Sequence, residues 1–251
     1  MKSLWRYPVK SLLGEPLERA DITPLGIEGD RVYALSEGDA ILSAKRTGSL
    51  FGASARYADG ELEIEWTDGS TSHLGDADLG DRLTHLSGRE VVLAQRGAPE
   101  SIEIVSGPEA STSEGPDGYF HSRPDTFFDS AVLHIVTTSS LAYLKLLYPE
   151  GSVDERRFRP NILVDSGSEA AELEQGWVGA EIAIGDAVVR IVKSCSRCVM
   201  TTHAQRDLPQ DKRILKTLAR RTGNAMGVLA EVVRPAALQV GDPVAPARMP
   251  G

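Results

Sequence analysis

Short stretches of apolar residues, spaced like β-strands, dominate the chain before residue 97. Residues 31–35, 62–66 and 90–93 alternate or cluster apolar side chains, and turn-forming residues separate them at roughly ten-residue intervals. Asp59-Gly60 and Asp68-Gly69 are dipeptides typical of hairpin turns. This part of the chain is therefore predicted to be β, with one short helix within 76–86.

After residue 130 the strand-like pattern continues, with two helices inserted. The hydroxyl residues 137–140 are suited to cap the N-terminus of a helix over 141–147. Residues 211–221 predict a basic amphipathic helix, because Ile214, Leu215 and Leu218 fall on one face. The predicted strands of this part are 131–136, 158–165, 188–192, 228–233 and 240–244.

The segment between these two parts has a different composition. Ser, Pro, Gly, Asp and Glu dominate 106–118, so 98–129 is predicted to be a connecting loop, either a surface linker or a mobile segment over a site. The predicted domains are 1–97, a barrel-like β domain, and 130–251, a second β domain. The predicted fold class is mainly β, a β-rich α+β protein with few helices and antiparallel, barrel-like sheets.

Composition and charge disfavour several classes of function. The chain has 251 residues and a net charge of −9, and no long basic run relieves that charge, so a nucleic-acid partner is not expected. No apolar run approaches the ~20 residues that span a bilayer. Lys2, Arg6 and Pro8 interrupt the N-terminus before the apolar core that a signal peptide needs. We therefore expect a cytoplasmic protein without a membrane span.

Both cysteines of the chain lie in the run Cys195-Ser196-Arg197-Cys198. A thiolate is a nucleophile and a soft metal ligand, and Arg197 beside it favours the ionised form. A structural zinc site is disfavoured, because four ligands are the rule and no second CxxC is present. The run therefore indicates either a soft-metal site or a sulfur or redox site.

Three further polar clusters interrupt strand-like segments: Lys10 with Ser11, Asp30 with Arg31, and Arg159 with Asn161. Cationic, amide and hydroxyl donors of this kind bind phosphate and other oxyanions. The structural alternative is pairing within the protein, Arg31 with Asp30, and Arg159 with Glu155 or Asp165. Taken one at a time, the clusters leave both interpretations open.

Taken in order, these elements resemble the MOSC-domain family, which is named for the C-terminal domain of molybdenum-cofactor sulfurase. The branch with an added N-terminal β-barrel domain, which includes the mitochondrial amidoxime-reducing component and its bacterial relatives, is the most similar in pattern. The resemblance implies a MOSC-associated β-barrel domain over 1–97 and a MOSC domain over 130–251. The elements that carry it are Tyr7-Pro8-Val9-Lys10-Ser11, Gly29-Asp30-Arg31, Phe158-Arg159-Pro160-Asn161, Ile184-Gly185-Asp186, Cys195-Ser196-Arg197-Cys198 and Val240-Gly241-Asp242-Pro243-Val244.

The resemblance also implies a cofactor and an activity. It implies the molybdenum cofactor (molybdopterin), with Cys198 as the ligand of molybdenum, and reduction of N-hydroxylated or N-oxide small-molecule substrates with Cys198 and Arg197 at the reaction centre. Electrons would come from a separate flavin or haem protein, since the sequence has no nucleotide-binding fingerprint or haem motif. The implied cofactor-binding residues are Lys10, Ser11, Arg31, Ser130, Arg159, Asn161, Ser196 and Arg197.

The chain departs from the family pattern at two places. Asp129 stands where the amidoxime-reducing proteins have a threonine, and 201–207 lacks their Asp-Pro-x-Thr-Gly turn. Two other functions therefore stay open, a persulfide carrier for metal-sulfur or cofactor assembly and a non-catalytic cofactor carrier. Cys195 is interpreted as a small buried residue, with a resolving thiol as the alternative, and His134 as a core histidine.

Overall fold

The computed structural model describes residues 1–38, 40–97, 126–167 and 171–248. Contacts divide the chain into two units. The first contains Met1–Arg6, Pro16–Glu28 and Ala131–Gly251, and the second contains Tyr7–Glu15 and Gly29–Ser130. The predicted connecting loop 98–129 lies outside the described residues except for 126–129, and the domain boundaries at 97 and 130 stay a prediction.

Strands outnumber helices in the described part of the chain, and the predicted mainly β fold is confirmed. The helices are α1 (Leu79–Ser87), α2 (Thr138–Leu147) and α3 (Lys212–Arg221). The strands are β1 (Ser3–Arg6), β2 (Glu15–Leu17), β3 (Arg19–Thr23), β4 (Gly26–Ile27), β5 (Tyr33–Glu37), β6 (Ala40–Ile41), β7 (Ala53–Ala58), β8 (Glu61–Trp66), β9 (Thr71–His73), β10 (Val92–Gln95), β11 (Leu133–Thr137), β12 (Ile162–Val164), β13 (Glu181–Ile184), β14 (Ala187–Ser196), β15 (Ala225–Arg234), β16 (Ala236–Gln239) and β17 (Val244–Arg248).

The first unit holds an eight-stranded sheet with the order β17-β13-β14-β15-β11-β12-β1-β2 and a smaller sheet of β16, β3 and β4. Strands β11 and β12 are parallel neighbours, which differs from the all-antiparallel expectation. The reason is α2, which lies between them in sequence and returns the chain to the same end of the sheet, as a parallel connection requires.

Helices α2 and α3 cover the apolar core beside this parallel pair. The predicted cap of α2 is confirmed, because the side-chain oxygen of Thr137 accepts from the N–H of Ser140 at 3.2 Å. Ile214 and Leu218 of α3 are buried, as the amphipathic pattern predicts. The core residues are Val136, Leu144, Tyr148, Phe158, Leu163, Ile214, Leu218 and Met226.

The second unit contains two three-stranded sheets, β10-β5-β6 and β7-β8-β9, together with α1. The two predicted hairpin turns are present. Asp59 and Gly60 join β7 to β8 with φ of 51° and 85°, and Gly69 turns the chain between β8 and β9 with φ of 81°. Among the residues that the structure describes, the helices are too short to cross a membrane.

Candidate functional site

Strand β14 ends in the cysteine run. Cys195 is 8% exposed, whereas Cys198 lies beyond the strand and is half-buried. A single helical turn, Val199–Thr202, begins directly after Cys198, and Thr201 donates its N–H at 3.2 Å and its hydroxyl at 3.0 Å to the Cys198 carbonyl oxygen. Within the described residues the Cys198 sulfur has no hydrogen bond, so it is available to a ligand.

The sulfur of Cys195 has a different environment, because Arg197 folds back onto it. Arg197 Nη1 donates to Cys195 Sγ at 2.8 Å and lies 3.4 Å from His134 Nε2. Its Nη2 donates to the Phe158 carbonyl oxygen at 2.8 Å. The Nε of Arg197 is buried and has no partner in the described part of the chain. Arg197 therefore holds Cys195 with one end of its guanidinium and keeps one buried donor for another group.

This environment lowers the pKa of the Cys195 thiol. Burial by itself raises the pKa of the Cys195 thiol, but the charge of Arg197, with the charge and hydrogen bond of His134, lowers the pKa from an ordinary 9.0 to about 6. Cys195 is therefore a thiolate at neutral pH, paired with Arg197. The burial of Cys195 agrees with its interpretation as a small buried residue, and its contact with Arg197 agrees with the indication that this arginine favours the ionised form.

His134 lies against this ion pair because strand β15 has a glycine at the point of closest approach. The ring Nδ1 of His134 is 3.4 Å from the Arg159 carbonyl oxygen, and its Nε2 is 3.2 Å from the Met226 carbonyl oxygen. A Cβ at Gly227 would lie 2.3 Å from His134 Nε2, and φ of Gly227 is +79°. Any side chain at position 227 would therefore displace the imidazole.

Arg159 and Asn161 lie on either side of Pro160, next to His134. Arg159 is buried and has a left-handed φ of 53°. The side-chain oxygen of Asn161 accepts from the backbone N–H of His134 at 3.1 Å. Its Nδ2 donates to the Trp5 carbonyl oxygen at 3.3 Å. The Asn161 amide therefore connects strands β11 and β1, which is a structural role in addition to any role in binding.

Ser196 and the backbone of Arg197 are fixed by Asn224. Asn224 Nδ2 donates to the Arg197 carbonyl oxygen at 2.7 Å and lies 3.4 Å from Ser196 Oγ, and the Arg197 N–H donates to the Asn224 carbonyl oxygen at 2.8 Å. Ser196 is exposed. Asn224 thus fixes the backbone that leads to Cys198.

Arg157 holds the segment that follows Cys198. Its guanidinium is fully buried and donates to the carbonyl oxygens of Ser152 at 2.8 Å, His203 at 3.1 Å and Pro209 at 2.7 Å. Between these anchors Gln205 is 2% exposed, and neither polar atom of its amide has a partner within the described residues. A buried amide of this kind marks a place where a bound molecule or water completes the hydrogen bonding.

In the second unit three cations surround one carboxylate. Lys10 Nζ donates to the Phe127 carbonyl oxygen at 2.8 Å and to the Asp129 carboxylate, and Lys45 Nζ lies 3.7 Å from that carboxylate. Burial lowers the pKa of Lys10, Arg31 and Lys45 lower it further, and Asp129 opposes them. Desolvation raises the pKa of Asp129, but the charges of Lys10, Lys45 and Arg31 hold it well below its usual range. Asp129 therefore faces cations.

Arg31 belongs to this cluster and is paired with Asp30, as the structural alternative predicts. Asp30 is buried, and its Oδ1 accepts from the Tyr7 N–H at 2.7 Å. The Arg31 guanidinium lies 5.2 Å and 5.1 Å from the ring centres of Tyr7 and Phe128. These contacts fix the guanidinium in one position.

The two predicted hydroxyl residues of the second unit differ in their surroundings. The Ser11 hydroxyl oxygen accepts from the Ala44 N–H at 3.0 Å and so fixes the backbone next to Lys45. Ser130 is exposed and directly follows Asp129. Ser11 therefore supports the cation cluster through the backbone of Ala44, and Ser130 is the sequence neighbour of Asp129.

Left-handed backbone is concentrated at the predicted binding residues. Three of them, Ser11, Arg31 and Arg159, have φ of 69°, 49° and 53°. Such a conformation costs a non-glycine residue ~1–2 kcal/mol and is found disproportionately at functional sites. In each unit, therefore, the polar cluster contains residues that the surrounding structure holds in the strained left-handed conformation.

Two models of protein families match the chain. The model of the MOSC domain matches residues 117–245, which is about half of the chain, and the model of the MOSC N-terminal beta barrel domain matches residues 1–100. The chain belongs to the MOSC-domain family. The resemblance carried by the sequence motifs is thereby confirmed.

Individual MOSC relatives are distant. Mitochondrial amidoxime reducing component 2 of Rattus norvegicus is 31% identical, over 51% of this chain and 40% of its own length. Component 2 of Macaca fascicularis is 25% identical over 96% of this chain and 81% of its own length. Molybdenum cofactor sulfurase of Drosophila grimshawi is 25% identical over 85% of this chain but 29% of its own length. The first of these alignments thus spans less than half of the relative.

A solved structure has a similar fold. The YUAD protein of Bacillus subtilis superposes with a TM-score of 0.50 and covers 97% of this chain and 92% of its own. Its sequence identity is 13%, so the similarity concerns the fold alone.

The predicted site residues of this MOSC chain form two groups. Arg159, Asn161, Ser196, Arg197 and Cys198 belong to the first unit, and Lys10, Ser11, Arg31 and Ser130 belong to the second. The assignment of these residues to a cofactor stays a prediction.

Sequence reasoning missed four contributors to these groups, namely Lys45, Arg157, Gln205 and Gly227. Only Lys45 carried a local signal, the basic pair that it forms with Arg46. The other three matter through contacts between residues that are far apart in sequence.

Proposed function

We propose that the protein binds the molybdenum cofactor, with Cys198 as the protein ligand of molybdenum, and reduces N-hydroxylated or N-oxide substrates. The observation that carries the proposal is the contrast between the two cysteines. Cys195 is buried and engaged by Arg197, whereas the Cys198 sulfur is half-buried and lacks a hydrogen bond within the described residues. A thiolate suits a soft metal centre whose other ligands come from its cofactor.

Each unit by itself offers donors of the kind that this cofactor needs. An anionic phosphate tail suits Lys10, Lys45 and Arg31, whose positive charges exceed those of the carboxylates beside them. In the first unit, the partnerless Nε of Arg197 is a donor for a polar or anionic group. Asp129, the apparent departure from the family pattern, is compatible with this role because it is itself paired with Lys10 and Lys45.

In the proposed reaction the N–O bond of the substrate is broken with two electrons and two protons, giving the reduced nitrogen compound and water. The cofactor supplies the electron transfer when it is bound. The protein fixes the Cys198 turn through Asn224, Thr201 and the Arg197 contacts. The Gln205 amide, in the segment after Cys198, offers a donor and an acceptor to a polar substrate. A separate protein delivers the electrons.

The proposal is tested on protein from a host that makes the cofactor. We expect pterin to be released from the denatured protein in near-stoichiometric amount, and reduced methyl viologen to support conversion of an amidoxime to the amidine. Cys198→Ser should reduce turnover to background, while Cys195→Ser should retain most of it. Bound pterin without turnover would instead indicate a non-catalytic carrier.

A sulfur-carrier function is the second candidate. The observation that favours it is the thiolate of Cys195, three positions before Cys198. By attacking the inner sulfur of a persulfide on Cys198, it would form a Cys195–Cys198 disulfide and release the outer sulfur as hydrosulfide. The Drosophila relative is named as a cofactor sulfurase. This function predicts sulfur that cyanide releases from Cys198, and no retained pterin.

A further inference from the structure

Helices α2 and α3 of the first unit border a groove of about 830 Å³. We call it the basic groove. Its lining residues are Tyr143, Leu146, Leu147, Arg213, Lys216, Thr217, Arg220 and Arg221.

The groove is positively charged, whereas the protein as a whole is negatively charged. Helix α3 has ten residues, KRILKTLARR, of which five are cationic and none acidic, in a chain with a net charge of −9. Arg213 lies 3.7 Å from Glu150. Lys216, Arg220 and Arg221 form no ion pair with any residue that the structure describes. The positive charge is therefore largely uncompensated.

Helix stability does not account for this charge. Arg220 and Arg221 are in the last turn, where cations interact favourably with the helix dipole. Lys212 and Arg213, however, are in the first turn, where cations are unfavourable, and within the helix no acidic residue follows the N-cap Asp211. The stability of the helix therefore does not explain the two cations in its first turn.

The groove also has an apolar side. Leu146 of α2 is 65% exposed, and Tyr143 and Leu147 beside it are half-buried. An apolar patch next to a cationic rim is the usual composition of a surface that binds an acidic protein, since the apolar residues provide contact area and the charges provide steering and register.

The groove is connected to the Cys198 turn through the start of α3. Asp211, which caps α3, donates its N–H to the Thr202 carbonyl oxygen at 2.8 Å. Thr202 is the last residue of the helical turn that begins after Cys198. A partner bound along α3 therefore contacts a helix whose first residue is preceded by a hydrogen bond to Thr202. Thr202 belongs to the turn that follows Cys198, the proposed ligand of molybdenum.

We propose that the basic groove is the docking site for the acidic face of the electron-donor protein. This inference rests on the proposed reductase function, which needs electrons from a separate protein. The acidic partner would place carboxylates on Lys216, Arg220 and Arg221 and an apolar residue on Leu146.

The test uses flavodoxin, an acidic flavin protein, as the electron-donor probe and reduced methyl viologen as a small reductant. In the loaded enzyme, Lys216→Glu with Arg220→Glu should lower the second-order rate of oxidation of reduced flavodoxin about tenfold and weaken its salt dependence. The rate with methyl viologen should not change. The matched control is Lys2→Glu with Arg19→Glu, two exposed cations of the same unit, which should leave both rates unchanged.

Each other outcome has a definite meaning. An unchanged flavodoxin rate in the Lys216/Arg220 variant overturns the docking site, as does a wild-type enzyme that accepts electrons from viologen but not from flavodoxin. Loss of binding to phosphatidylserine vesicles with an unchanged flavodoxin rate would assign the groove to lipid instead. Inactivity of the wild type with both reductants would reject the reductase function itself.

Discussion

Replacing Arg157 by methionine is expected to lower the free energy of unfolding by ~3 kcal/mol, because three backbone carbonyl oxygens lose a buried donor. Arg157 is fully buried, so water cannot replace it without opening the structure. Two of the carbonyls, those of His203 and Pro209, bracket the segment after Cys198. We therefore also expect faster amide hydrogen exchange within 203–209, measured together with urea unfolding.

Arg156 is the matched control for this prediction. It is the preceding residue and has the same side chain, but it pairs with Asp154 and Asp207 with about a third of its surface exposed. Arg156→Met should cost ~1 kcal/mol or less, since exposed ion pairs contribute little. Equal losses for the two variants would contradict the role assigned to Arg157. Arg157→Lys should recover only part of the loss, because one ammonium cannot reach all three carbonyls.

The Cys195 thiol is expected to titrate with a midpoint near pH 6, about three units below its ordinary 9.0. Cys198→Ser leaves Cys195 as the sole thiol of the chain, so ultraviolet thiolate absorbance then reports Cys195 alone. His134→Leu in that background should raise the midpoint, since it removes a charge and a hydrogen bond that stabilise the thiolate. A midpoint near 9 in the Cys198→Ser protein would refute the ion pair with Arg197.

The same shift sets a pH dependence of stability. The folded state lowers the pKa of Cys195, so between pH 6 and 9 the unfolded chain binds more protons at this group than the folded chain. Its contribution to stability is fully present above pH 9 and is lost as the pH falls through 6. The difference in unfolding free energy between the wild type and Cys195→Ser should therefore grow from pH 6 to pH 9, and a flat difference would contradict the shift.

The sequence predicted the local elements well and their connections less well. Alternation along 62–66 and the Asp-Gly dipeptides indicated β8 and its hairpins, because strand period and turn chemistry are local properties. The parallel pairing of β11 with β12 was missed, although a strand, a helix and a strand follow one another there. Pairing of β1 with β12 joins residues about 160 positions apart, which no local pattern reveals.

The candidate site was predictable where its residues form motifs. Lys10, Arg31 and Cys198 stand in short motifs that resemble a family, so they could be named. The partners that decide their chemistry could not. His134 resembled an ordinary core histidine until Gly227 of β15 brought it against Arg197. Asp129 seemed opposed to anion binding until its pairing with Lys10 and Lys45 was seen.

The central claim, a molybdenum cofactor bound through Cys198, is tested most directly by molybdenum content. Plasma mass spectrometry would compare the wild type, Cys198→Ser and Cys195→Ser, all purified from one cofactor-producing host. The account predicts near-stoichiometric molybdenum in the wild type, strong loss in Cys198→Ser and retention in Cys195→Ser. Absence of molybdenum from the wild type, or equal molybdenum in the wild type and Cys198→Ser, would contradict it.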